Sequence, residues 1–293
     1  MTSAAPLYFF LHVPKCAGNT LIGHFAEQIG PRSVAAPWSP SVGRNFRNNL
    51  VGSRGLSGDV DPLVLHGHAL SASQKQWFPG RPIREAVLLR DPVGYFVSMY
   101  NFRLWRHRTG QGPPLPPFAA WYWAERRNPM TRFLLHRYFE QGVPGLYRLS
   151  SREKIRWLEN RLRDFWFVGC YTRVDELANR VADELGVSGG PKPRNVDKVR
   201  AVRVSDLPRW LINEITEENA ADGLLYRRWR NRGFDLSLNP SPLTGELPAA
   251  DQFGLLIQET ICGMRKARLR RGLHGAGLRN PANAGGRSIP RTG

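Results

Sequence analysis

Cysteine is scarce. Cys16, Cys170 and Cys262 are the only three in 293 residues, and they lie far apart. That spacing excludes a disulfide framework or a zinc cluster and makes a reducing, cytoplasmic compartment the expectation. Long apolar runs are missing as well: no stretch of about 18 apolar residues occurs, so no membrane span is expected. The opening "MTSAAPLYFFLHVPK" lacks a basic n-region and has a short apolar run, so it reads as a first strand rather than a signal peptide. There is no internal repeat. Acidic residues are the last shortage, 24 against 42 basic ones, for a formal net charge of +18. An excess of that size points to an anionic partner: nucleic acid, a membrane surface, or a phosphorylated or sulfated ligand.

What is present is a globular composition rich in Trp and Phe, with short apolar runs alternating with helical patterns. Strands are expected at residues 7–13, 62–68, 84–90 and 165–169, and helices at 19–29, from Pro92 onward, and at 118–125, 131–139, 152–163, 174–186, 207–219 and 224–231. Asp91-Pro92 suits a helix start, Asp as N-cap and Pro at the first helical position. Residues 30–60, 110–117 and 188–195 are Gly-, Pro- and polar-rich and read as loops. This order predicts an α/β domain over residues 1–236 with a mainly parallel central sheet flanked by helices. Residues 237–250 read as a linker. Residues 251–271 read as one amphipathic helix, with Phe253, Leu256, Ile257, Ile261 and Met264 on one face. Residues 272–293 have the composition of a disordered tail. Arg265, Lys266, Arg268, Arg270, Arg271, Arg279, Arg287 and Arg291 make the C-terminal segment basic, with no acidic residue among them.

Two stretches carry candidate chemistry. In "FFLHVPKCAGNT" a buried strand gives way to a lysine, a small-residue turn and a helix start. The first N–H groups of a helix lack intrahelical partners and its dipole favours an anion. Ala17 and Gly18 permit close backbone approach, Asn19 and Thr20 add donors, and Lys15 adds positive charge. The lysine precedes the small residues, unlike the nucleotide-phosphate loop Gly-x-x-x-x-Gly-Lys-Ser/Thr. In "LLRDPVGYFVSMYNF", Arg90 ends a strand and Ser98 lies about two turns into the following helix. An arginine fork and a serine hydroxyl together suit a second phosphate, and ligands of open α/β sheets gather at the carboxyl ends of strands. His66 and His68, two apart on a candidate strand, place their side chains on one face. They suit a general base or, equally, a buried hydrogen-bonded pair or a weak metal pair.

Taken together these stretches resemble a known family. "HVPKCAGNTL" (12–21) is similar to the 5′-phosphosulfate loop of sulfotransferases that use 3′-phosphoadenosine 5′-phosphosulfate. "LRDPVGYFVSMY" (89–100) is similar to their 3′-phosphate motif, with the serine eight residues after the arginine. "GH" (67–68), "NPMTRFL" (128–134), "FVGCYTRVDEL" (167–177) and "ADGLLYRRWR" (221–230) follow in the family's order. The resemblance spans about residues 7–232 and points to the carbohydrate sulfotransferases, heparan sulfate 2-O-sulfotransferase in particular. Cys16 stands where the family has Thr, and Asn19 where it often has Thr or Ser. The vertebrate enzymes are membrane-anchored and disulfide-containing, and their compartment is not carried over.

The resemblance implies a P-loop-NTPase-like sulfotransferase fold and transfer of a sulfuryl group from that donor to a hydroxyl or amine, with a carbohydrate acceptor first in line and no metal. It casts Lys15, Ala17, Gly18, Asn19, Thr20, Arg90 and Ser98 as donor contacts, Lys15 also as stabiliser of the leaving group, His68 as base and His66 as its support. It adds Lys198 from a loop where relatives place further nucleotide contacts. Arg103, Arg106, His107, Arg108, Trp105, Trp121 and Trp123 are candidates to face an anionic glycan, or equally a solvated face and core aromatics. Two other readings compete: a nucleotide or small-molecule kinase, and a non-catalytic basic protein binding anionic polymers. For the C-terminal segment, peripheral contact with an anionic membrane competes with docking on the domain.

Overall fold

Apolar side chains in unbroken succession make the strands. In the computed structural model, which describes residues 5–36, 61–139, 151–187, 201–243 and Met264, every residue of β1 (Leu7–Leu11) is buried. The same holds for β3 (Val64–Gly67) and β5 (Phe167–Cys170). Strands with no polar alternation belong to a parallel sheet covered on both faces. That is what forms: five strands, all parallel, in the order β2-β3-β1-β4-β5, with β2 at Ser33–Ala35 and β4 at Ile83–Leu89.

Helices α1 (Gly18–Ile29), α2 (Pro92–Arg108), α3 (Phe118–Trp123), α4 (Pro129–Arg132), α5 (Ser151–Leu162), α6 (Val174–Leu185), α7 (Arg209–Glu218) and α8 (Ala220–Trp229) flank the sheet. One core runs through it, from Leu7, Phe9 and Val64 to Leu134, Phe165 and Trp229. The expected strand and helix order holds. Strand β2 is an addition: at three residues it is too short to show a periodicity in a segment read as loop. Residues 133–138, expected as plain helix, widen into a π-helical turn (Phe133–Tyr138) that continues α4. α6 closes on Gly186, whose φ of 65° is the left-handed conformation glycine adopts freely.

Residues 237–243 stay on the domain. Arg163 and Arg228 donate to the carbonyls of Pro240 and Ser241, and Leu243 packs against the core. The rest of the expected linker, the tail, and the 251–271 helix apart from helical, exposed Met264 lie outside the described residues, as do the 188–195 loop and Cys262. Among the described residues no helix is long and apolar enough to cross a membrane.

The strand order creates one position of functional interest. After β1 the chain crosses over β3 to reach β2; after β4 it runs the other way to β5. β1 and β4 are neighbours, so their carboxyl ends flank a crevice from which the two connections diverge. Open α/β sheets bind ligands at such a switch point.

Candidate functional site

The crevice is lined by the phosphate-binding candidates of the 12–21 and 89–100 stretches. Leaving β1, the chain passes His12, Val13 and Pro14 and turns sharply. Lys15 and Ala17 both take left-handed conformations, φ 63° and 61°. For residues with a Cβ this costs roughly 1–2 kcal/mol each, so the turn is held by what surrounds it. Thr20 and Leu21 donate their N–H groups to the Ala17 carbonyl, and the Ala17 N-cap supplies no side-chain acceptor to the start of α1. The first turn of α1 contains no acidic residue. Asn19 is exposed at the rim, while Gly18 and Thr20 are buried.

Arg90, expected to end the strand, lies just beyond β4 and reaches across. Its Nη1 donates to the Lys15 carbonyl oxygen at 2.9 Å, and its guanidinium lies 4.2 Å from the centre of the Tyr171 ring, just past β5. Its Nε is buried with no hydrogen-bond partner, which leaves an unspent donor on a cation in the crevice. Asp91 caps α2, accepting from the Gly94 N–H at 2.6 Å, and so turns its charge toward the helix.

Ser98 is buried on α2. Phe102 lies one turn further along the same face, and the Lys15 Nζ sits 4.4 Å from its ring centre. Lys15 and Arg90, far apart in sequence, thus meet, with the helix that carries Ser98 and Phe102 beside them. One turn beyond Ser98, Asn101 clamps Val202 in both directions: Nδ2 donates to the Val202 carbonyl at 2.8 Å and Oδ1 accepts from its N–H at 3.1 Å. Lys198 lies outside the described residues.

The histidines gather beside the loop. β3 ends at Gly67, so His68 lies in the turn beyond it, and strand alternation does not set its direction as the sequence suggested. The neighbouring loop does. His68 Nδ1 bonds to the His12 carbonyl at 2.6 Å, and the two rings stack at 4.1 Å with a 26° tilt. Phe133, the first residue of the π turn, presents its ring edge-on to His68 at 6.2 Å. His66 is buried on β3, opposite Phe10 of β1. Burial lowers the pKa of His68, opposed by the bond to His12. His12 falls to about 3, from burial first and then from the positive forms of His68, His66 and Lys15. Both rings are neutral at pH 7. A carbonyl only accepts, so His68 carries its proton on Nδ1 and its lone pair on Nε2.

Several candidates take up structural work instead. Arg103 is paired to Glu125 through two bonds, at 2.6 and 3.2 Å. Arg106 and His107 bond to the Gln111 and Gly112 carbonyls and tie down the Pro-rich loop. Trp121 is core. Trp105 is partly buried beside Phe102, and exposed Trp123 bonds to Glu214. Arg108 is solvated. Cys16 points inward, its sulfur 4.0 Å from that of Met130, and burial pushes its thiol up. Cys16 is therefore a core contact.

Sequence reasoning missed the layer beneath the loop. Met130 Sδ also accepts from the Arg90 N–H, at 3.4 Å. Met130 is held in turn by Asp222 of α8, fully buried, whose two oxygens accept the N–H groups of Met130 and Thr131 at 3.0 and 2.7 Å. Burial raises Asp222 to about 6, with the bonds to Thr131 and Met130 opposing. Asn128, at φ 50°, accepts from the Asp222 N–H. The one available signal was the Asn-Pro pair opening α4. Comparison with protein-family models and with curated proteins gives no match to this chain.

Proposed function

We propose that this protein is a sulfotransferase that moves a sulfuryl group from 3′-phosphoadenosine 5′-phosphosulfate to an acceptor hydroxyl or amine, with a carbohydrate as the first acceptor class, on a sulfotransferase-type variant of its parallel sheet. The observation that carries this reading is the direct bond between the two phosphate-binding candidates, Arg90 Nη1 to the Lys15 carbonyl, at the switch point of the sheet. A neutral histidine stands three residues up the same loop, on the His12 carbonyl. Two anion sites and one base are what a bis-phosphorylated donor and a protic acceptor require.

The proposed chemistry divides among the residues as follows. The α1 N-terminus and Lys15 hold the 5′-phosphate; Arg90 and Ser98 hold the 3′-phosphate and so register the donor. The acceptor oxygen forms a bond to sulfur while the bond from sulfur to the 5′-phosphate oxygen breaks, in line, as in phosphoryl transfer. His68 Nε2 takes the acceptor proton. The charge developing on the leaving phosphate falls beside Lys15 and the open helix end, where it is stabilised most.

Calorimetry with 3′-phosphoadenosine 5′-phosphate, the donor's product, tests the reading. Wild type should bind it, Arg90→Ala should bind about 100-fold more weakly, equivalent to roughly 2.7 kcal/mol, and ATP and ADP should compete poorly. No binding to folded wild type would overturn the enzyme reading.

A further inference from the structure

The proposed base needs one tautomer. Only a His68 protonated on Nδ1 offers Nε2 as an acceptor, whereas a free imidazole favours the proton on Nε2. Something must hold the less favoured form. The carbonyl and the ring of His12 are placed to do so: they bond to and stack on His68. The His12 ring is itself confined. A methyl group at Gly18 would lie 1.8 Å from its Cδ2 and 2.2 Å from its Nε2. Gly18 is the first residue of α1, at the mouth of the anion cradle. Gly18, His12, His68 and Phe133 therefore form one packed column running from the anion loop to the base.

We propose that His12 is a positioning residue: wedged against Gly18, its ring and carbonyl lock His68 as the Nδ1–H tautomer, so that the anion loop and the base are aligned by one contact column. The inference rests on the reading of His68 as a base, but its test does not require turnover. The backbone carbonyl persists in any variant at residue 12; the ring and its wedge do not. Removing the ring releases His68 to rotate off the carbonyl. A side chain at Gly18 displaces the His12 ring and does the same. Among the described residues, His66 and Lys15 act on the His12 ring, besides His68.

The experiment is long-range proton–nitrogen NMR on the full chain labelled with nitrogen-15 histidine, with His68 assigned from the signals lost in His68→Gln. Wild type at pH 7.5 should show His68 with a protonated Nδ1 and a bare Nε2. Gly18→Ala and His12→Ala should each shift it to a mixture containing the Nε2–H form. The double variant should match His12→Ala alone, because without the ring the added methyl has nothing to displace. Far-ultraviolet circular dichroism identifies variants that have not folded; wild type alone still decides the tautomer. A wild-type His68 protonated on Nε2 overturns the proposal, as does a double variant more perturbed than His12→Ala. Nucleotide calorimetry separates the two ideas: a locked tautomer without nucleotide binding removes the sulfotransferase reading and leaves the column standing.

Discussion

Helices α1 and α2 begin side by side, each just beyond the carboxyl end of a central strand, and they begin in opposite ways. α2 is closed by its own chain: Asp91 accepts from Gly94, and Gly94 must be small because a Cβ there would lie 2.6 Å from the Asp91 carboxylate. α1 has Ala17 at the corresponding position, with no side-chain cap and no acid in its first turn, and its glycine makes room for a histidine ring. A third start, that of α4, is closed from a distance by buried Asp222. Carboxylates close the starts of α2 and α4, whereas the starts of α1, α3 and α7 have neither a side-chain cap nor an acid in the first turn. What sets the α1 start apart is its neighbours: Lys15 and Arg90 stand beside it, joined through the Lys15 carbonyl. A helix start with two cations beside it suits an anion, in keeping with the function proposed above.

Substitution can open the closed ends. Asp222→Ala leaves two buried N–H groups at α4 without an acceptor and should destabilise the fold by about 3 kcal/mol, read as a lower urea midpoint with unchanged slope. A loss under about 1 kcal/mol would mean that Asp222 does not close that end.

Acid acts on two buried groups, Asp222 and His12, in opposite senses. The folded pKa of Asp222 is raised to about 6, so its contribution is fully present below about pH 3.8 and is lost as pH rises through 6. His12, lowered to about 3, acts in the opposite sense: its contribution is present above about pH 6.5 and is lost as pH falls toward 3. Between pH 7 and 4 the two nearly offset, each worth on the order of 3 kcal/mol. Asp222→Asn removes one side, so its urea midpoint should fall more steeply on acidification than that of wild type. Parallel pH profiles would refute the opposition.

Asp91→Ala should cost about 1 kcal/mol, the ordinary value of an N-cap, measured as a drop in Tm. At the open end the sign reverses. Ala17→Gly removes left-handed strain and should stabilise by less than about 1 kcal/mol, since a small packing loss opposes it. If Ala17→Gly destabilised instead, the loop would not be strained.

Much of this arrangement is legible in the amino-acid sequence itself. Unbroken apolar runs such as "LYFFL" announce buried parallel strands, and Asp91-Pro92 announces a helix start to within a residue. Lys15 and Arg90 are identifiable because strand ends in an α/β order share one rim. Asp222, Met130 and Tyr171 are not. Each acts through a partner 40 to 92 residues away, or, for Tyr171, through a guanidinium it meets only across the sheet. No local pattern encodes such a meeting. Arg103 and Trp121 show the converse: their residue types suggest recognition, and packing gives them to Glu125 and to the core.

From the sequence alone come the α/β class, the strand and helix order and the two anion-binding candidates, because periodicity, caps and turn residues act over a few positions and are written in the chain. Tertiary structure alone decides that Arg90 bonds to Lys15, that Cys16 turns inward and that His68 rests on the His12 carbonyl. Those outcomes depend on sheet order and close packing, which no short stretch of residues specifies.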